Sequence, residues 1–377
     1  MNFCENCFAD ETLKSIVQAV GKPGKCDLCN QNADHVYDTG SNDTLTAYFE
    51  QILRLYQPYD EKKDCKEFRH KAHLMQHFIY EKWHLFSENV CEDQIIEALI
   101  AICPDMYENN MDLFNRAVYL RGCVDSKYLM NHGLLGTNTW EDFNKNITRI
   151  NRFHSNYINL DILQKYLTYL KVKYTKGTPF YRSRISGPQK ISPERMGAPP
   201  AEKAVDSRVS ANGIQCLYLG DSEDTTLYEV RAAKYDFVSV GKFILKENIS
   251  VVDLTRIKDV SPFIMPESDI EEFAVNLEEL EKLDGAMGKP VRHSDAALDY
   301  VPTQYIADFI KSITINGQQT FQGIKYRSVM HSGGFNLAIF EPSLFECNEV
   351  SLKQVKEIHY EIAQTKYSRF CRCCYQV

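Results

Sequence analysis

The chain has 377 residues, 44% apolar and 25% charged, with a net charge of −8 and 13 cysteines. That length admits two or three domains with full cores. The negative balance argues against a nucleic-acid coat, which needs excess Lys and Arg on one face, but leaves room for a small anionic ligand. No apolar run reaches the ~18 residues of a membrane span; Ile95–Ile102 is broken by Glu97. No secretory signal opens the sequence, so the expected location is the cytoplasm and no disulfide framework is expected.

Cys4-x2-Cys7 and Cys26-x2-Cys29 stand eighteen residues apart. Two such pairs suit a tetrahedral Cys4 zinc site, with four thiolates closing the coordination shell, so the metal is expected to be structural. A short helix is expected over Glu11–Val20 between them. Such a small segment draws its fold from the metal, and removing zinc is expected to loosen residues 1–32 while leaving 175–345 folded.

Residues 33–172 read as a mostly helical domain. Leu45, Tyr48, Phe49, Ile52, Leu53 and Tyr56 follow a helical period, and Glu92–Ile102, Asn110–Arg121 and Leu160–Val172 repeat it. His70, His73, His77 and His84 fall at near-helical spacing with no acidic cluster in sequence beside them. They are read as packing or solvated residues. Arg149-x4-His154 matches the loose Arg-x4-6-His pattern of HEPN ribonucleases.

The period changes near Thr178. Pro179–Ile185, Ile214–Leu219, Phe237–Leu245, Ile249–Leu254, Gly323–Val329 and Phe335–Phe340 read as strands, and Gly187–Pro200 as a loop over a site. Helices are expected over 266–284, Tyr305–Ile313 and Ser351–Lys366, the last leading to Cys371, Cys373 and Cys374, which are left unassigned. The expected division is 1–32, 33–172, 173–350 and 351–377.

From Lys171 to Arg208 there are nine basic residues and three acidic. Arginines inside apolar strand sequence need an anionic partner. Arg182 and Arg184 lie two apart on one strand face, with Arg182 preferred as the key residue, and Arg208 follows. Tyr218 can stack a planar ring, Glu229 can hydrogen-bond ribose hydroxyls, and Ser328 can add a hydroxyl. Together these types suit binding a dinucleotide diphosphate while a glycosidic bond breaks.

Six pieces in order resemble the RES family over roughly residues 175–345. They are Tyr181-Arg182, Arg208 with Gly213-Ile214-x-x-Leu217-Tyr218-Leu219, Leu227-Tyr228-Glu229, Val252-Asp253-Leu254, Thr303 to Ala307, and Gly323 to Ser328. The zinc knuckle and helical region also look like the HEPN-like extension that precedes some RES domains. The resemblance implies an α+β chain whose C-terminal domain is an ADP-ribosyltransferase-like split β-sheet around NAD. It implies a toxin or defence effector that consumes NAD by hydrolysis or phosphorolysis, restrained by an antitoxin protein or by its own N-terminal region. Self-association is left open.

By that resemblance Arg182, Tyr218, Glu229 and Ser328 are the catalytic set, and Arg182, Arg184, Arg208, Asn212 and Tyr218 hold NAD. The chain departs from the family where an arginine is commonly followed by Trp-Asn or Tyr-Asn. Here Arg208-Val209-Ser210 follows, and Asn212 is displaced. Arginine-modifying ADP-ribosyltransferases often carry a second acid two positions before the glutamate. Leu227 stands there, which favours transfer to water or phosphate. A protein mono-ADP-ribosyltransferase and a HEPN-type ribonuclease are the alternative readings.

Overall fold

The computed structural model describes residues 1–61, 66–288 and 297–358. The N-terminal strands β1 (Asn2–Cys4), β2 (Lys22–Lys25) and β3 (Asn32–Asp38) form a small antiparallel sheet in the order β1-β3-β2. It brackets the expected helix Glu11–Val20, whose N-cap Asp10 accepts from Leu13 N. That cap satisfies one of the helix's free amide donors.

The helical region follows, interrupted by two strands that periodicity missed. Thr44–Leu53 is helical, but Tyr56 belongs to β4 (Tyr56–Pro58), which pairs with β5 (Val118–Leu120). The helix expected over Asn110–Arg121 is therefore only Met111–Asn115. Glu92–Ile102 is helical throughout. Leu160–Tyr169 is helical too, but the segment expected to extend it to Val172 turns into β6 (Lys171–Tyr174).

That strand opens the main sheet. Its other members are β7 (Pro179–Ser186), β8 (Leu217–Gly220), β9 (Phe237–Leu245) and β10 (Ile249–Asp253). A separate two-residue hairpin, β11 (Thr314–Ile315) with β12 (Gln318–Gln319), precedes β13 (Gly323–Arg327), β14 (Phe335–Ile339) and β15 (Phe345–Gln354). The eight strands run in the order β15-β9-β7-β8-β14-β13-β10-β6, mixed in direction, with β10 and β13 parallel. Ser351–Gln354, expected to start a helix, completes β15 instead. Its residues pair in register with Val240 to Phe237 of β9, and this extended pairing outweighs local helical period. Residues 359–377, with Cys371, Cys373 and Cys374, lie outside the described residues.

The sheet is split at one seam. β7 and β8 share a single residue pair, Tyr181 with Gly220, whereas β7 and β9 pair over eight residues. Beyond that pair the two halves diverge and leave a cleft.

Alternation along the strands assigns the two faces. Leu217, Leu219, Leu337, Ile339, Phe180 and Phe243 pack into a core on one side. Tyr218, Ala338, Ile324 and Tyr326 face the other, larger core. That larger core runs without a break from Phe3, Cys4 and Cys7 through the helical region to the Glu267–Gly288 helix and the sheet.

The Glu267–Gly288 helix is the spine of the junction. Phe273 packs on Trp83 and Tyr166, with ring centroids 6.3 and 5.5 Å apart. Asn276, 1% exposed, accepts from Leu134 N and donates to His132 O, so its amide ties two elements. Glu272 gathers Lys165, Tyr166 and His132 at 2.8, 3.0 and 2.9 Å.

Candidate active site

The cleft at the seam is a cavity of about 210 Å³ lined by Arg182, Ser183, Tyr218, Gly220, Glu229, Tyr326 and Asn336 among others. Three residues singled out in sequence, Arg182, Tyr218 and Glu229, therefore meet there. Ser328 does not line it but reaches it through Glu229.

Arg182 stands on β7 and spans the seam. Its Nη1 donates to the carbonyl of Tyr218 at 2.8 Å. The guanidinium thus takes a backbone acceptor that a full strand pairing would have used. Its Nε is buried with no partner. Burial, with Arg184 beside it, pulls its pKa down to about 10. It remains charged at neutral pH.

Arg184 donates to Gly197 O at 2.5 Å and Arg208 to Met287 O at 2.7 Å. Neither lines the cavity. Among the described residues, none of the three arginines has a carboxylate within ion-pair distance. A half-buried cationic cluster without counter-charge favours an anionic ligand. Asn212 is exposed in a turn, where its backbone N donates to Asp206 Oδ1, and it does not line the cavity.

Tyr218 is fixed at both ends. The residue lines the cavity, and its hydroxyl bonds Ser207 Oγ and, at 3.4 Å, Ser210 Oγ. Burial pushes its pKa up, so the phenol stays protonated. The serine loop is held in turn by Gln304, whose Nε2 reaches Ser207 O at 2.9 Å and Ser210 O at 3.2 Å.

Glu229 ends the Glu223–Glu229 helix and is exposed at the rim. A carboxylate at a helix C-terminus faces the unfavourable end of the dipole. Two donors offset this on a single oxygen. Ser328 Oγ donates to Oε1 at 2.7 Å and Asn336 Nδ2 to the same Oε1 at 2.8 Å. Ser328 Oγ accepts from His331 N at 3.2 Å. The helix lies close on β8 because Gly220 has no side chain; a Cβ there would stand 2.6 Å from Thr226 Cγ2. Thr226 also bonds Ser183 of β7 at 2.7 Å, which ties the helix to both sides of the seam.

Asn336, Gln304, Tyr326 and the Ser183–Thr226 pair were not anticipated. The signal for Asn336 was present: a lone amide in the otherwise apolar Phe335-Asn336-Leu337-Ala338-Ile339. Gln304, like Tyr326, lies in a piece that carries the family resemblance but has no role assigned there, because its role depends on where the Val301–Ser312 helix docks.

Away from this cleft, His70, His73 and His77 line a cavity of about 440 Å³ that also takes in Glu81, Glu278 and Glu281. His77 Nδ1 lies 3.2 Å from Glu92 Oε1. The acidic neighbours that sequence spacing lacked are thus supplied by other elements. Arg149 and His154 are both exposed, and neither lines a cavity among those described.

The four N-terminal cysteines converge. Cys4 Sγ lies 3.6 Å from Cys7 and from Cys29, and Cys7 lies 3.6 Å from Cys26, all four within 4.8 Å of one another. Tetrahedral Zn–S bonds of ~2.3 Å place sulfurs ~3.8 Å apart, so the cluster fits zinc. Cys4 N donates to Cys26 Sγ at 3.3 Å, a contact that suits a thiolate.

No helix among the described residues is long and apolar enough to cross a membrane. No curated protein and no solved structure matches the chain. The family model of the RES domain matches residues 179–362, a span that holds β7 to β15 and every residue of the cleft. Residues 179–362 of this chain are a RES domain, and membership implies NAD as the molecule acted upon.

Proposed function

We propose that the chain is an NAD-consuming enzyme that breaks the nicotinamide–ribose bond and passes ADP-ribose to water or inorganic phosphate. The observation that carries this reading is Glu229, anchored through one oxygen beside Tyr218 and Arg182, an arginine with no carboxylate partner among the described residues, in a single cleft.

Nicotinamide is already a good leaving group when N-ribosylated, so the reaction needs little acid catalysis. The C1′–N1 bond breaks with its electron pair moving to nicotinamide, which leaves positive charge on the ribose. The protein's work is to orient the dinucleotide and stabilise that charge. Arg182 supplies cationic character for the diphosphate, with Arg184 and Arg208 in reserve if their carbonyl bonds exchange for phosphate oxygens. Tyr218 offers a fixed ring face. Glu229 accepts from ribose hydroxyls and favours the developing cation. Water then adds to C1′ and releases a proton, giving ADP-ribose; phosphate instead gives ADP-ribose 1-phosphate.

Depletion of NAD fits a toxin or defence effector, and a cell making it needs a neutralising partner. A protein acceptor is the second reading, favoured by Tyr228, 51% exposed immediately beside Glu229 at the rim. Zinc held by Cys4, Cys7, Cys26 and Cys29 would serve structure alone, since four thiolates leave no open position.

Product analysis separates these outcomes. The purified chain is incubated with NAD, with and without phosphate, and the products are resolved by mass. Free ADP-ribose supports hydrolysis, a phosphorylated product supports phosphorolysis, and label on protein supports the second reading. Intact NAD under all three conditions contradicts the proposal.

A further inference from the structure

Glu229 is not simply present in the cleft; it is oriented. Both of its donors, Ser328 Oγ and Asn336 Nδ2, use Oε1, and among the described residues Oε2 takes no hydrogen bond. The two oxygens are therefore unequal. One is committed to the protein and the other is left for something else.

Asn336 is placed for this by the sheet. On β14 it stands in register with Gly220 of β8 on one side and Tyr326 of β13 on the other. Gly220 has no side chain to screen it, and the Glu223–Glu229 helix lies against that glycine. The amide can thus reach the carboxylate across the open position. Asn336 is 7% exposed, so an unmet amide there would be costly. An ionised carboxylate only accepts, so the nitrogen end of the amide must face it. Ser328 reaches the same oxygen from the loop side, held by His331 N. His331 is itself placed by its ring, which lies 2.9 Å from Thr225 Oγ1 and stacks on Tyr228 at 5.1 Å.

We infer that Asn336 is a positioning residue that, together with Ser328, commits Glu229 Oε1 and thereby presents Oε2 to the ribose hydroxyls. The inference rests on the NAD-cleavage reading. Ser328 then acts on Glu229 and not directly on ribose or nicotinamide.

The test compares kcat and KM for NAD in the full chain with Asn336→Ala, Asn336→Asp and Ser328→Ala, alongside thermal unfolding of each. Loss of orientation lowers kcat by about 10- to 100-fold while KM moves by less than about threefold. Asn336→Asp gives the decisive readout. At neutral pH it sets a second carboxylate against Glu229 and falls below Asn336→Ala. At lower pH the two carboxylates share one proton, the donor is restored, and activity recovers relative to Asn336→Ala. A purely structural role would lower the unfolding temperature of both variants without that pH-dependent crossing. Should Asn336→Ala fold poorly, Ser328→Ala, altered at a half-buried loop, reads the same loss of kcat. Active wild type with both alanine variants within about twofold overturns the inference alone. Wild type that leaves NAD intact overturns the NAD reading and this inference with it.

Discussion

Arg182 donates its Nη1 to the carbonyl of Tyr218 across the seam where β7 and β8 part, at 2.8 Å. One guanidinium thereby props open a cleft and places positive charge inside it. Arg182→Lys keeps the charge but loses the planar fork. It is expected to cost about 1–2 kcal/mol of stability and at least tenfold in NAD cleavage. Thermal unfolding and nicotinamide release measured on one preparation check both effects. Unchanged stability would show that the bridge does not hold the seam.

Gly220 tests how tightly the Glu223–Glu229 helix must sit. Its substitution by alanine drives a Cβ to within 2.6 Å of Thr226 Cγ2, so the helix has to shift and carry Glu229 with it. A displacement near 1 Å costs on the order of 100-fold in rate. The expected result for Gly220→Ala is a folded protein with activity reduced to that extent; a fully active variant would mean that Glu229 tolerates displacement.

Acid sensitivity should trace in part to Glu272. Burial works to raise its pKa, but hydrogen bonds from Lys165, His132 and Tyr166 outweigh it and leave the pKa below the usual glutamate range. A depressed carboxylate pKa contributes stability that is present above the unfolded value of ~4.3 and lost as pH falls through the folded value. Glu272→Gln is expected to lose about 2 kcal/mol at pH 7. Its deficit should narrow as pH drops below about 4. Denaturant melts across pH provide the check, and a deficit independent of pH would contradict it.

Zinc removal should reach further than the knuckle. Sequence alone suggests that residues 1–32 loosen while residues 175–345 stay folded. The structure places Cys4, Cys7 and Cys26 in the same continuous core as Phe273 and Ile324. Thr12 Oγ1 also bonds Ser261 Oγ, 249 residues away, at 3.0 Å. Chelation, or Cys7→Ser, is therefore expected to lower the unfolding midpoint of the whole chain by roughly 5 °C or more. A transition of residues 175–345 that stays put after chelation would restore the independent picture.

The contrast shows what the sequence made legible. The strand buried on both faces declared itself: Phe237–Leu245 carries dense β-branched and aromatic residues, and Pro179–Ser186, only partly buried, showed through Phe180, Tyr181 and Ile185. Short segments did not. Tyr56, Val118–Leu120 and the pair Lys171 and Val172 read with a helical period and fall in strands because partners distant in sequence pair with them. The cleft residues Arg182, Tyr218 and Glu229 were legible because charged and polar types stood out in order. Although Arg182 is preferred over Arg184 and Asn212 stands displaced from the family pattern, Arg184, Arg208 and Asn212 are also expected to hold NAD. Only the fold shows that two of these spend a donor on backbone carbonyls and the third faces solvent in a turn.

Cleavage of NAD in this cleft through Glu229 is tested most sharply by nicotinamide release from the wild type beside Glu229→Gln. The glutamine keeps an oxygen for Ser328 and Asn336 to hold and removes only the charge. Steady release by the wild type and a loss of at least about 100-fold in the variant are expected, with folding unchanged. Equal release by both proteins would contradict the role of Glu229, and no release by well-folded wild type would contradict NAD cleavage by the chain itself.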